Sequence, residues 1–217
     1  MIVSHKHKFI YLKSYKTAST SVEMFFEKFC NESDIVGYRG PDPKPPNTTW
    51  WNHMTPKNIK EQLQKTYSQD LGSYIWDSYF KFGCIRNPWD RKLSSYFFCK
   101  TVRNIEMPDT FEEYCMYSKR SDFPKQYSDR SLNLISLQSL SKFYHWNMDY
   151  YIRFEKLRED IQAVCNLLGL SCDLKQLPHI KKTNHKHYTE YYTDEMRDKI
   201  AEDYRDDIDF FNYTFGD

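Results

Sequence analysis

The string KSYKTASTS sets one lysine and four hydroxyl side chains, Lys16, Thr17, Ser19, Thr20 and Ser21, around Ala18, just where a helical pattern begins. The mouth of a helix presents unpaired backbone N–H groups and a partial positive charge, so this composition suits a phosphate-like anion. An ordinary polar connection with hydroxyl caps would use the same residues. The loop has none of the glycines of GxxxxGK[ST], so it is not the ATP-binding P-loop. A second string, RNPWDRKLSSYFF, puts Arg86 at a strand end and Ser94 about two turns into the helix that follows. A guanidinium fork with a nearby hydroxyl can hold a second phosphate, although an arginine so placed is also commonly just ion-paired. A third, PHIKKTNHKHY, gathers Lys181, Lys182 and Lys186 with His179, His185 and His187, either as cationic donors or as a solvated basic loop.

Transfer of a charged group to a hydroxyl needs a proton acceptor, and histidine is the side chain whose ordinary pKa lies nearest neutrality. Of the seven histidines, His53 in TWWNHMTPKNIKE sits at the end of a proline-rich loop and just before a helix. His145 in FYHWN is the rival, with ring neighbours that favour core packing, while His5 and His7 are expected in the approach to the first strand. The Trp50–Trp51 pair could stack on a sugar or a base. Glu155, directly after a strand, reads as a structural acceptor for backbone or arginine groups.

Taken together, the two anion strings resemble the sulfotransferase family. The family's 5′-phosphosulfate loop looks like KTxxTS, matched by Lys16 to Ser21, and its 3′-phosphate element looks like RxPxxRxxSxY, matched by Arg86, Pro88, Arg91, Ser94 and Tyr96. KTASTS is especially similar to the uronyl 2-O-sulfotransferases. YIRFEKLREDIQAVCNLLGL resembles the family's late strand and helix, and the stretch from Pro178 to Phe215 its C-terminal part. The resemblance implies a P-loop nucleotide-kinase-like fold and 3′-phosphoadenosine 5′-phosphosulfate (PAPS) as sulfuryl donor, with no metal. It implies a hydroxyl-bearing acceptor, a glycan by the closest motif. The nucleotide would be bound by Lys16, Thr17, Ala18, Ser19, Thr20, Ser21, Arg86 and Ser94, with Lys181 and Lys182 on a late closing loop. Lys16 would stabilise charge on the leaving oxygen. The segment around His53 resembles the H-x-T element that supplies the base in related enzymes, so Lys16 and His53 are the catalytic pair. The animal enzymes carry a Golgi stem and anchor with no counterpart here, which leaves their substrates and compartment open.

The elements that must position these residues follow from periodicity. KFIYLK alternates as a strand and gives way at about Thr20 to a helix; YFKFGCIR leads through Asn87-Pro88 into another; Tyr150 to Phe154 leads into a third that Gly169 closes. Thr55 and Pro56 start a further helix, and a charged helix from Thr193 to Tyr204 precedes an aromatic tail, DFFNYTF, expected to dock on the core. Strands alternating with helices predict an α/β fold, with a parallel sheet of four or five strands flanked by helices. At 217 residues a single domain over 1–217 is expected.

Thirty-one basic against 30 acidic residues leave no global field to draw the chain onto nucleic acid or a membrane, so any anion site must be local. The six cysteines form no CxxC pair or zinc-ligand spacing and read as reduced and mostly buried. MIVSHKHKFIYLK lacks a signal-peptide core, which points to the cytoplasm, and the triplets at Asn31, Asn47 and Asn212 then read as chance matches to a glycosylation signal. The alternatives are a nucleotide or small-molecule kinase, opposed by the missing Walker glycines, and a noncatalytic glycan-binding protein.

Overall fold

The computed structural model describes residues 1–40, 45–102, 106–117, 138–144, 148–178, 180 and 185–217. By internal packing the chain divides into two compact units. One comprises Met1–Ser14, Ala18–Ile85 and Phe143–Pro178, and the other Tyr15–Thr17, Arg86–Lys142 and His179–Asp217.

The first unit holds a five-stranded sheet. Its strands are β1 (Ile2–Ser4), β2 (Phe9–Leu12), β3 (Ile35–Val36), β4 (Phe80–Ile85) and β5 (Tyr150–Arg153), in the order β3-β1-β2-β4-β5. The strand number agrees with expectation, but the sheet is mixed and the expected all-parallel arrangement is corrected. The β2–β4 and β4–β5 pairs are parallel, whereas β1 alone is reversed and lies antiparallel to both of its neighbours, β2 and β3. The reason is connection length. The few residues between Ser4 and Phe9 can close a hairpin but cannot make the crossover that a parallel pair requires. His5 and His7 therefore lie in the hairpin turn rather than ahead of the first strand.

Phe9, Tyr11, Phe82, Cys84 and Ile152 alternate onto one face of this sheet. There they meet Val22, Phe25 and Phe26 of α1 (Ser19–Glu27), whose spacing puts all three on one helical stripe. Helix α2 (Pro56–Thr66) starts as expected, with Thr55 Oγ1 accepting from Asn58 N at 3.2 Å. It packs on α3 (Gln69–Ser78), a helix the sequence reading passed over. They approach so closely at Gly72 that a Cβ there would stand 2.4 Å from Gln64 N. After β5 comes α6 (Leu157–Leu167). It ends in a left-handed Gly169 with Leu170 N donating to Cys165 O at 2.8 Å.

The second unit is helical in its described residues, with a core made largely of rings. Its elements include α4 (Pro88–Phe97), continued by a π-helical turn Phe98–Val102, then α5 (Phe111–Met116), α7 (Asp194–Asp203) and α8 (Arg205–Phe211). Asn87 Oδ1 accepts from Trp89 N at 3.1 Å and starts α4. Trp89, Leu93, Tyr96 and Phe98 pack with Phe111, Tyr114, Tyr188 and Tyr204. The aromatic tail docks in part. Phe215 meets Trp89, Tyr188 and Tyr192 edge-on with centroids 5.4–5.6 Å apart, whereas Phe210 is exposed. Among the described residues no helix is long and apolar enough to cross a membrane.

Candidate functional site

In the second unit the two anion strings meet. Arg91 Nε donates to Tyr15 O at 2.9 Å, and Arg86 Nη1 donates to Lys16 O at a longer 3.4 Å, across sequence separations of 76 and 70. Lys16 has a left-handed backbone (φ 63°), and its ammonium stands 3.8 Å from the centroid of the Phe98 ring, in the π-helical turn that ends α4. Arg86 is buried, and its Nε and Nη2 grip Asp90 in a bidentate pair at 2.7 and 2.9 Å. The fork that the sequence reading directs at a phosphate thus already holds a carboxylate on its Nε edge. Ser94 is buried on α4, and Thr17 is fully buried.

In the first unit the start of α1 is held by its own backbone and hydroxyls. Ser19 Oγ donates to Ser14 O at 2.5 Å, Ser14 Oγ to Cys84 O at 2.8 Å and Tyr11 OH to Ser19 O at 2.9 Å. Ala18, also left-handed (φ 57°), is the N-cap without a side-chain bond, and its carbonyl accepts from Ser21 N and Val22 N. Carbonyls 14, 15, 16, 18 and 19 along this stretch each have a donor. Because C=O and the next N–H point opposite ways across a planar trans peptide, the following amides face away from those donors. Thr20 is half-buried and Ser21 buried.

His53 also belongs to the first unit. Its Nδ1 lies 3.0 Å from Lys13 O. A carbonyl can only accept, so Nδ1 carries the proton, and in the neutral ring Nε2 carries the lone pair, as a general base requires. His53 has an unfavourable φ of 34°. Lys13 supports that turn twice, because its Nζ also reaches Asn52 Oδ1 at 3.4 Å while pairing at 2.7 Å with the fully buried Glu23. The segment carrying His53 is laid against Tyr38, whose N donates to Trp50 O and whose O accepts from Asn52 N. Trp50 and Trp51 are both half-buried.

Lys181 and Lys182, and the rival His145, lie outside the described residues. After β5 the Arg153 N, Nε and Nη2 donors go to Asp160 at 2.6–2.8 Å, an acceptor the sequence reading did not single out. Sequence reasoning missed Asp90, Phe98 and the loop-facing function of Arg91. The i,i+4 spacing of Arg86 and Asp90 on a helix start was a usable signal, whereas nothing local marks Phe98 as the partner of Lys16.

A model of the sulfotransferase family matches residues 1–214. A crystal structure of a sulfotransferase from Alicyclobacillus acidocaldarius is similar at 13% identity and TM-score 0.47, covering 94% of this chain and 96% of that one. No curated protein matches the sequence.

Proposed function

The chain belongs to the sulfotransferase family, and from that premise we propose that it moves a sulfuryl group from PAPS to a hydroxyl of a carbohydrate acceptor. The observation that carries the donor assignment is the junction of the two anion strings, with Arg91 on the Tyr15 carbonyl and Arg86 on the Lys16 carbonyl. A donor with anionic groups at two ends fits a chain in which a Lys16 loop and an Arg86 helix start are tied together. In this reading Lys16 to Ser21 hold the 5′ side, and Arg86 and Ser94 the 3′-phosphate. Lys181 and Lys182 are assigned to the nucleotide on sequence grounds. The match from residue 1 to 214 supports reading the chain as one sulfotransferase domain.

When bound, the donor supplies an activated sulfuryl group and a phosphate leaving group. Lys16 contributes positive charge at the bridging oxygen, where negative charge develops, as in other transfers that depend on positioning and electrostatics. His53 accepts the acceptor hydroxyl's proton at Nε2, and the Lys13 carbonyl keeps its other nitrogen protonated. A carbohydrate acceptor rests on the similarity of KTASTS to the uronyl 2-O-sulfotransferases, with the Trp50–Trp51 pair as a stacking surface. The six free thiols are consistent with action in a reducing compartment such as the cytoplasm.

The test is a thermal shift followed by turnover. Adenosine 3′,5′-bisphosphate at 100 times its Kd should add about 2.7 kcal/mol of stability. With PAPS, a panel of glycans, phenols and alcohols should show sulfation of glycans by mass spectrometry. Stabilisation by ATP with Mg²⁺ and none by the 3′-phosphorylated nucleotide would remove this reading in favour of a kinase.

A further inference from the structure

We propose that Arg91 is a positioning residue for the 5′ anion loop and does not itself touch the nucleotide. The inference rests on the reading above and adds a role to a residue whose place in the motif carries none. Arg91 lies on α4, five residues after Arg86, and is 2% exposed. Its planar fork bridges two carbonyls, with Nε on Tyr15 O at 2.9 Å and Nη1 on Gln138 O at 2.8 Å. Lysine could not span both with the same geometry.

The consequence follows from peptide planarity. Fixing the Tyr15 carbonyl toward Arg91 turns the Lys16 N–H the opposite way. Arg86 adds a weaker hold of the same kind on the Lys16 carbonyl, and so on the Thr17 N–H. These two donors oppose rotation of the Tyr15 and Lys16 carbonyls toward an incoming anion. Lys16 sits in a left-handed conformation that a non-glycine residue keeps only when its surroundings enforce it. A buried guanidinium behind the loop also adds positive potential toward an anion in front of it without direct contact.

The two arginines should then separate the two ends of the nucleotide. Adenosine 5′-phosphosulfate reports the 5′ end and adenosine 3′-phosphate the 3′ end, both read by calorimetry. Arg91→Gln should weaken the 5′ ligand roughly tenfold or more, as for a lost hydrogen bond to a charged group, and leave the 3′ ligand within about twofold. Arg86→Lys should show the reverse preference. Arg91→Lys, which keeps the charge but not the fork, should fall between parent and Arg91→Gln for the 5′ ligand. Equal losses of both ligands in Arg91→Gln, or loss of the 3′ ligand alone, would overturn the proposal. If Arg91→Gln does not fold, the parent decides alone. Adenosine 5′-phosphosulfate should shift the Lys16 and Thr17 amide signals in ¹⁵N spectra, and binding that leaves both unmoved overturns the positioning role. A parent that binds neither nucleotide overturns the sulfotransferase reading and this inference with it, whereas intact binding without the selective loss overturns this inference alone.

Discussion

The lone pair on His53 Nε2 exists because of one hydrogen bond, Nδ1–H to the Lys13 carbonyl. That arrangement suits the base role proposed for His53, and on that role removing the ring should damage chemistry more than binding. His53→Ala is expected to lower kcat by about 10²- to 10⁴-fold while nucleotide affinity stays near the parent's. On the proposed role a protonated ring cannot act as the base, so the parent should lose kcat/KM on the acid side and the variant should lack that limb. Steady-state rates across pH, paired with nucleotide titrations, check both expectations. If the variant retains parental turnover and the acid limb, the base is another residue, with His145 the first to examine.

Among the elements of the first unit, two contacts allow the sign of a substitution to be worked out against intuition. Alanine is the better helix former by about 1 kcal/mol, so Gly72→Ala in α3 would stabilise an isolated helix. Here the added Cβ would stand 2.4–2.5 Å from backbone atoms of Leu63 and Gln64 in α2, atoms that cannot rotate away. Overpacking of this kind costs about 1–3 kcal/mol, so the net effect should be destabilising by urea denaturation; a more stable variant would mean that the two helices separate readily. The second contact joins β5 to α6. Burial works to raise the Asp160 carboxyl, but the side-chain and backbone hydrogen bonds of Arg153, with its charge, outweigh it and hold the group below its ordinary value. A carboxyl depressed in the folded state contributes stability that is present above the unfolded value, about 4, and lost as pH falls through the folded one. Asp160→Asn should cost about 1–3 kcal/mol at pH 7, toward the low end because the Arg153 side chain is 45% exposed and screened. The deficit should be smaller at pH 3, and an equal deficit at both pH values would show that charge plays no part.

For the whole molecule, the distribution of thiols gives a test that is independent of any ligand. Cys84, Cys99, Cys115 and Cys165 are buried, while Cys30 and Cys172 are half-buried. Burial first, then nearby carboxylates, pushes the Cys30 thiol up to about 12. Burial likewise takes Cys84 and Cys115 to about 12, with the Tyr11 hydrogen bond opposing at Cys84 and the Lys92 charge at Cys115. Since the thiolate is the reactive form, the folded protein should react slowly with a disulfide reagent at pH 8 and release six equivalents only in denaturant. Rapid native reaction of three or more thiols would show that the two ring-rich cores open far more easily than their packing indicates.

Helix α1, the Thr55 cap of α2, the Asn87-Pro88 start of α4 and the Gly169 stop of α6 were all legible in the sequence, because caps and periodicity act over three or four residues. The same locality is why the KTASTS and RNPWDRKLSS strings can be proposed as anion elements from residue type and spacing. Strand direction was not legible in this way. KFIYLK shows its alternation but not that Ile2–Ser4 folds back beside it, since pairing is chosen by what the turn permits. What the tertiary structure alone decided lies in the backbone carbonyls. Tyr15 O receives Arg91, Lys16 O receives Arg86 and Lys13 O receives His53, across separations of 76, 70 and 40 residues. Every residue has a carbonyl, so such a partner leaves no mark on residue type, and only the folded chain determines which carbonyl a distant arginine or histidine will find.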